Sequence, residues 1–463
     1  MIYGGKEILK NKLFYKIIII FCILITFYLV VSIYFINHFF INTSVNGVNL
    51  SLKSYDNTNK ILSDKLSNFN IELIGRDGRK EIINGKELSI TYTNKNISSD
   101  IKKRQNPFLW ITALVNKNEY KIDGVIEYNK ENLFNIVKSL DIVTDNIEEP
   151  INASFVYNDG SYEVKEEIYG NKLNEEKLFN EIDKSILAGE RIINLEESDC
   201  YINPKYTSNS DKIIEVEETL NKYIDTKVTY LFGDKKEFLD ASIIKNWILI
   251  DEELNVEIDD EALSKYIADL SKKYNTIGIT RDFKSSTGKI VEVKGGFYGW
   301  KINSIAERKL LKEYITLGAT IEKEPVYTQE AIQRGDDDIG NTYVEINISK
   351  QYLWFYKDGK VIAEGSVVTG DERKGYDTGE GTYMINYTQK DAILRGVGYE
   401  SKVTYWMPFN GNIGIHDASW RNSFGYDIYK NNGTHGCVNT PLHLAKRIYE
   451  NIEEGTPVIC YKE

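Results

Sequence analysis

The stretch Tyr169-Gly-Asn-Lys-Leu-Asn174 returns without a gap as Tyr298-Gly-Trp-Lys-Ile-Asn303, and Gly189 returns as Gly318 at the same offset of 129 residues. Upstream, Glu127-Tyr-Asn-Lys-Glu-Asn-Leu133 resembles Glu257-Ile-Asp-Asp-Glu-Ala-Leu263 at an offset of 130, and Glu81-Ile-Ile-Asn84 resembles Glu237-Phe-Leu-Asp240 at 156. The jump places about 26 extra residues in the first copy, near 94–118. Such self-similarity is a tandem duplication, over residues 45–200 and 205–328, and it obliges more than half of the chain to use one fold twice. In the second copy Leu263, Tyr266, Ile267 and Leu270 recur at helical spacing, while Val291 and Val293 alternate with charges as in a strand. Each copy is therefore expected to be an α+β module. The apolar stripes read as core, and neither copy holds a catalytic cluster. A plain spacer and a polymer-binding module both remain open.

Residues 17–36 contain no charge. At 1.5 Å per residue that run matches the thickness of a bilayer's hydrocarbon, and it lacks the small-residue cleavage site of a secretory leader. Lys6, Lys10, Lys12 and Lys16 precede it. A transmembrane helix over 17–37 is expected, with tail 1–16 cytoplasmic and everything beyond facing outward. His38 then falls at the membrane interface.

A chain of 463 residues exceeds one compact domain. Its net charge is −12, and with the basic tail set aside the remainder is more acidic still. No basic patch interleaved with aromatics is present, so nucleic acid is not an expected partner. The four cysteines, Cys22, Cys200, Cys437 and Cys460, show no disulfide or zinc-knuckle spacing, and nothing pairs Cys200 with Cys460.

Arg334-Gly-Asp-Asp-Asp-Ile-Gly340 is polar, acidic and bracketed by glycines, the signature of a linker, here 329–340. The last domain, 341–463, reads as mainly β. Tyr343-Val-Glu-Ile-Asn-Ile348 alternates as a half-buried strand, and Asp358-Gly359 makes a hairpin turn between Tyr352-Leu-Trp-Phe-Tyr356 and Val361–Val368. Thr382–Tyr387 and Gly411–Ile415 read as further strands. Thr440-Pro441 is expected to start a helix as cap and first-turn proline, with Leu442, Ala445, Ile448, Tyr449 and Ile452 buried and His443 exposed.

The chain has four cysteines and four histidines, and three of these eight lie between 416 and 437. Thr434-His435-Gly436-Cys437-Val438-Asn439 sets a thiol one glycine from a histidine, and His416-Asp417 follows a strand-like run that would hold an imidazole at a sheet's edge. A thiol nucleophile needs a base, and acyl transfer needs backbone donors for the developing oxyanion. A helix N-terminus just beyond Cys437 would favour thiolate, and the Gly436 and Cys437 amides are the natural oxyanion donors. A buried structural cysteine with two surface histidines is the plain alternative. A metal centre of Cys437, His435 and His416 with His443 lacks a second cysteine or an H-E-x-x-H pair. A serine hydrolase lacks its G-x-S-x-G turn.

Gly414-Ile-His416-Asp-Ala-Ser-Trp420, then Phe424-Gly425, then Gly433-Thr-His-Gly-Cys-Val-Asn439-Thr-Pro resembles the L,D-transpeptidase catalytic (YkuD-type) family, with seventeen residues between His416 and Thr434. The His-Asp-x-x-Trp form and the upstream duplication are most similar to membrane-anchored Gram-positive members with peptidoglycan-binding modules. The resemblance implies a cysteine-dependent acyltransferase without metal or cofactor. Its partners would be peptidoglycan stem peptides as donor and acceptor, and carbapenem-type β-lactams would acylate it. It implies Cys437 as nucleophile, His416 as base, Asp417 as the group that orients His416, and His435 as a second partner for the thiol. Trp420, Thr434 and Asn439 would contact substrate. A family turn, Thr-Pro-x-Gly, here reads Thr378-Gly379-Glu380-Gly381, a departure that lies outside the catalytic box. An L,D-carboxypeptidase and an enzyme attaching proteins to the wall would use the same thioester and differ in the acceptor, while a silent wall-binding protein is opposed by the intact cysteine-histidine box.

Overall fold

The structure, a computed structural model, describes residues 4–92, 97–121, 126–335, 337–396 and 399–463. The chain divides into two compact units, Met1–Ser154 with Val164–Ser210 and Phe155–Glu163 with Asp211–Glu463.

In the first unit one helix runs over Gly4–Asn37, and its segment Lys12–Asn37 is long and apolar enough to cross a membrane. Ile17, Ile18, Ile19 and Ile20, successive positions about 100° apart around the helix, are all exposed, so this stretch presents no face built for a protein core. Beyond it Thr43–Val45 pairs with Val48–Asn49 and, in parallel, with Asn118–Tyr120. The residues read as extra in the first copy form that last strand, helix Ile97–Arg104 and the 3-10 helix Pro107–Leu114. Asn94, at the start of that stretch, lies outside the described residues.

The duplicated motif is seen twice in three dimensions. Asn70–Ile74 is the central strand of the first module, antiparallel to Lys80–Asn84 and parallel to Ile192–Asn194. Lys227–Phe232 holds the same place in the second, between Lys235–Leu239 and Thr320–Lys323. The repeated asparagines and glycines start and stop one helix in each. Asn174 and Asn303 accept backbone amides at the starts of Glu175–Ala188 and Ser304–Leu317. Gly189 and Gly318 close them in the left-handed region, at φ 73° and 67°. Losing one such asparagine cap costs about 1 kcal/mol. Leu178, Ile182 and Ile186 line the first core, Leu311 and Ile315 the second. Truncating any of them to alanine costs ~2–5 kcal/mol. Cys200 and Cys460 are both free and buried, in separate cores.

In the second unit the acidic stretch expected to be a linker is instead strapped down. Arg281, in strand Arg281–Lys284, donates to both carboxylate oxygens of Asp338 at 2.8 Å, and the Tyr298 hydroxyl donates to the Asp338 carbonyl. Ala331 and Ile339 join a core with Phe283, Trp300, Ile459 and Tyr461, the last two from the C-terminal domain. Composition showed the acidity of 329–340 and hid the buried cation that claims it. Asp336 lies outside the described residues.

The C-terminal domain holds two sheets. Five strands run in the order Lys360–Ser366, Tyr352–Lys357, Tyr343–Asn347, Pro457–Tyr461, Gly381–Met384. Four run Gln389–Gly396, Tyr399–Asn410, Ile413–Asp417, Val438–Thr440, the last pair parallel. Asp358 and Gly359 make the expected turn, at φ 50° and 76°. Tyr343–Asn347 is not half-buried: Val344 and Ile346 enter the main core, while Glu345 on the other face is covered by Ser286 and Tyr461. The final helix is Leu442–Tyr449, and Thr440 does not cap it. Thr440 lies in a strand and gives its hydroxyl to the His416 carbonyl at 3.2 Å. Leu442 is exposed and Leu444 takes its place in the core, because the helix begins later than a Thr440 cap would set it. His443 is exposed, as expected.

Candidate active site

Residues 413–417 and 438–440 are adjacent parallel strands in which Ile415 pairs with Val438 and His416 with Asn439. Side chains two apart share a strand face. Cys437, two residues before Asn439, therefore falls beside His416, a proximity that the linear spacing only suggests. His416 lies within its strand rather than after it, and that strand is interior rather than at an edge, flanked by Tyr399–Asn410 and Val438–Thr440. Gly414 must be glycine here: a Cβ would sit 2.7 Å from the Met407 carbonyl and from the Trp406 ring.

The His416 imidazole is buried, with the rings of Trp406 and Trp420 centred 5.8 and 6.0 Å away. Its Nδ1 lies 2.9 Å from the Asp417 carbonyl. A carbonyl only accepts, so Nδ1 carries the proton and neutral His416 presents a bare Nε2, the form a base requires. The Asp417 carboxylate is occupied elsewhere, accepting the amides of Thr404 and Tyr405 at 2.8 and 2.7 Å. Asp417 therefore meets the imidazole through its backbone carbonyl and not through its carboxylate. Burial holds His416 below the ordinary imidazole range; the Asp417 carbonyl and carboxylate oppose this, and Arg421 adds to it.

The Cys437 thiol donates to the Asn412 carbonyl at 3.6 Å. Burial pushes it up to about 11, against a backbone bond from Gly414. The expected thiolate is thus not the resting form, because strand Val438–Thr440 intervenes between Cys437 and the helix N-terminus. Gly436, at φ 113°, is a conformation few other residues adopt. Its amide donates to the Thr434 hydroxyl at 3.0 Å, and that hydroxyl donates to the Cys437 carbonyl at 2.5 Å. The Gly436 amide, expected as an oxyanion donor, is thus engaged by Thr434, which shapes the loop and, with His435, also lines the cleft. Asn439 is buried, and its backbone exchanges two hydrogen bonds with Val368. His435 is exposed, its ring centred 4.4 Å from that of Tyr376.

His416, Cys437, Trp420, Arg421 and Asn439 line one cleft of about 230 Å³. Leu394 and Ser401 form its wall from a long hairpin, Gln389–Gly396 with Tyr399–Asn410, which the sequence reading missed. Arg421 was also missed, although it directly follows Trp420. The turn at Thr378 is no bystander: its hydroxyl donates to the Gly436 carbonyl at 2.7 Å. Among the described residues no group of three or more His, Cys, Asp or Glu is arranged to hold a metal ion.

Two families match the chain. The L,D-transpeptidase catalytic domain, YkuD, covers residues 341–460, and the putative peptidoglycan binding domain covers 83–194 and 206–321. No curated protein matches. A cysteine-to-serine mutant of Enterococcus faecium L,D-transpeptidase is 32% identical over 54% of this chain and 100% of its own, with a TM-score of 0.44. The Ldtfm–avibactam carbamoyl enzyme is 33% identical over 54% of this chain and 99% of its own, with a TM-score of 0.45. The catalytic domain of the E. faecium enzyme acylated by ertapenem is 39% identical over 26% of this chain and 97% of its own, with a TM-score of 0.25. From the YkuD match and the one-third identity along the full length of these relatives, the chain belongs to the L,D-transpeptidase family.

Proposed function

We propose that the chain is a membrane-anchored peptidoglycan L,D-transpeptidase that forms 3→3 cross-links. The observation that carries the reading is that His416 and Cys437 line one cleft, His416 on a strand paired with the strand that follows Cys437, with the imidazole proton held on Nδ1 by the Asp417 carbonyl. Both partners rest uncharged at neutral pH, so proton transfer from Sγ to Nε2 accompanies attack rather than preceding it. Sγ adds to the carbonyl between the third, diamino residue of a tetrapeptide stem and its terminal D-Ala. The oxyanion meets the Cys437 amide, and imidazolium returns the proton to the departing amine. D-Ala leaves, a thioester remains, and the side-chain amine of a neighbouring stem attacks it with His416 again as base. His435, exposed at the mouth, is a supporting residue in this scheme. The Arg421 guanidinium on the cleft wall suits a stem carboxylate, and Trp420, half exposed beside His416, suits the donor's aliphatic stem.

In this reading the N-terminal helix anchors the enzyme with residues 1–16 in the cytoplasm and the catalytic domain at the wall, and the two modules hold peptidoglycan. The test incubates the full chain with a disaccharide-tetrapeptide and reads products by mass spectrometry. A dimer lacking one D-Ala is expected. A tripeptide alone identifies a carboxypeptidase, and no product with retained wall binding identifies a silent binder. Carbapenem should add covalently to the wild type and not to Cys437→Ala.

A further inference from the structure

The 3-10 helix Pro107–Leu114 carries a patch that the function above leaves unused. Phe108, Leu109, Ile111, Leu114 and Val115 are each at least half exposed. Exposed apolar side chains this concentrated mark an interaction surface. The patch is continuous with the apolar helix Gly4–Asn37. The Tyr28 hydroxyl donates to the Phe108 carbonyl, the Trp110 ring lies 6.1 Å from both Tyr28 and Phe35, and Ala113 is buried with Phe35 and Phe40. Tyr28 is eight residues inside the outer end of the uncharged run, which corresponds to roughly 12 Å of depth at the rise of an α-helix.

We infer that Pro107–Leu114 is a wedge that enters the outer leaflet beside the membrane-spanning helix, with lipid acyl chains as its partner. This rests on the anchor reading proposed above. A segment at that depth must satisfy its backbone groups within protein, and the ends of this one are so satisfied. Asn106 accepts the Phe108 amide through its side chain and the Leu109 amide through its carbonyl, while the Thr112 carbonyl accepts Val115 and Asn116. The Thr112 hydroxyl is turned inward to the Leu109 carbonyl. Exposed Arg104 and Lys117 bracket the wedge in sequence, where long cationic side chains can reach headgroups. A lone helix is free to rotate and tilt. A second element inserted alongside it removes that freedom for the membrane-proximal sheet to which the following strand Asn118–Tyr120 belongs.

The experiment uses the full chain in vesicles of phosphatidylcholine and phosphatidylglycerol, with acyl chains brominated near the carbonyl end. Trp110 is isolated by subtracting the emission of Trp110→Phe, which keeps an aromatic ring against Phe35. The Trp110 contribution is expected to fall by about half or more with brominated lipid and to resist aqueous acrylamide. A chain that does not float with vesicles overturns the anchor and the wedge together. A chain that floats while acrylamide, and not bromine, quenches Trp110 overturns the wedge alone. Shielding from both quenchers means that protein, such as a second copy, covers the face, and also overturns it.

Discussion

The Thr378 hydroxyl donates to the carbonyl of Gly436 at 2.7 Å and accepts the Gly370 amide at 3.0 Å, fully buried. It thereby fixes the peptide that precedes the nucleophile, across fifty-eight residues of chain. The turn that departs from the family's Thr-Pro-x-Gly pattern keeps the threonine that does this.

Thr378→Val leaves the Gly436 carbonyl and the Gly370 amide unpaired in a dry site. A loss of about 1–3 kcal/mol in unfolding free energy is expected, with carbapenem acylation slowed by about tenfold or more, since small displacements of a nucleophile are costly. Thr378→Ser should recover both. Denaturant titration and timed mass spectrometry check this; a valine variant that acylates normally would mean that Thr378 does not position the nucleophile.

The titration of the pair has a definite sign. Burial keeps His416 below the ordinary imidazole range, so it stays neutral, and able to act as base, across neutrality. Acylation should be flat there and fall only as acid reaches that lowered value. Folded His416 binds its proton less readily than the unfolded chain does, so its contribution to stability is present at neutral pH and lost on acidification. Cys437 has the opposite sign: stability falls as pH rises past the free thiol value towards about 11. Arg421→Gln should move the acid limb of the rate part of the way up. A limb at or above about 6.5 in the wild type would mean that His416 is solvated during turnover.

Because the Asp417 carbonyl, not its carboxylate, holds His416, Asp417→Asn should acylate within a few-fold of wild type. Its remaining side-chain oxygen can still accept Thr404 and Tyr405. Asp417→Ala orphans those two amides and should cost about 1–3 kcal/mol. Comparing the acylation rate and unfolding of the two variants separates the roles.

Asp338→Ala strands the buried Arg281 guanidinium without its counter-ion. A destabilisation of about 3–5 kcal/mol is expected, read as a lowered Tm. The double variant Arg281→Met, Asp338→Leu should restore most of it, since the cost lies in the unpaired charge rather than in the lost attraction.

The sequence by itself determined the elements whose cause is local. The duplication, with its asparagine starts and glycine stops, the uncharged helix, the Asp358-Gly359 turn and the box that sets His435 one glycine from Cys437 are all written in neighbouring residues, because caps, turns and periodicity act over a few positions. The tertiary structure alone decided which partners meet across the chain. Strand register set His416 opposite Asn439 and in one cleft with Cys437, burial raised the thiol, and Thr434 took the Gly436 amide. Arg281 turned an acidic linker into a strap, and Thr378 reached the catalytic box from a turn that looked remote. Burial and hydrogen bonding between distant residues depend on packing, and no local pattern encodes which distant group will occupy a given donor.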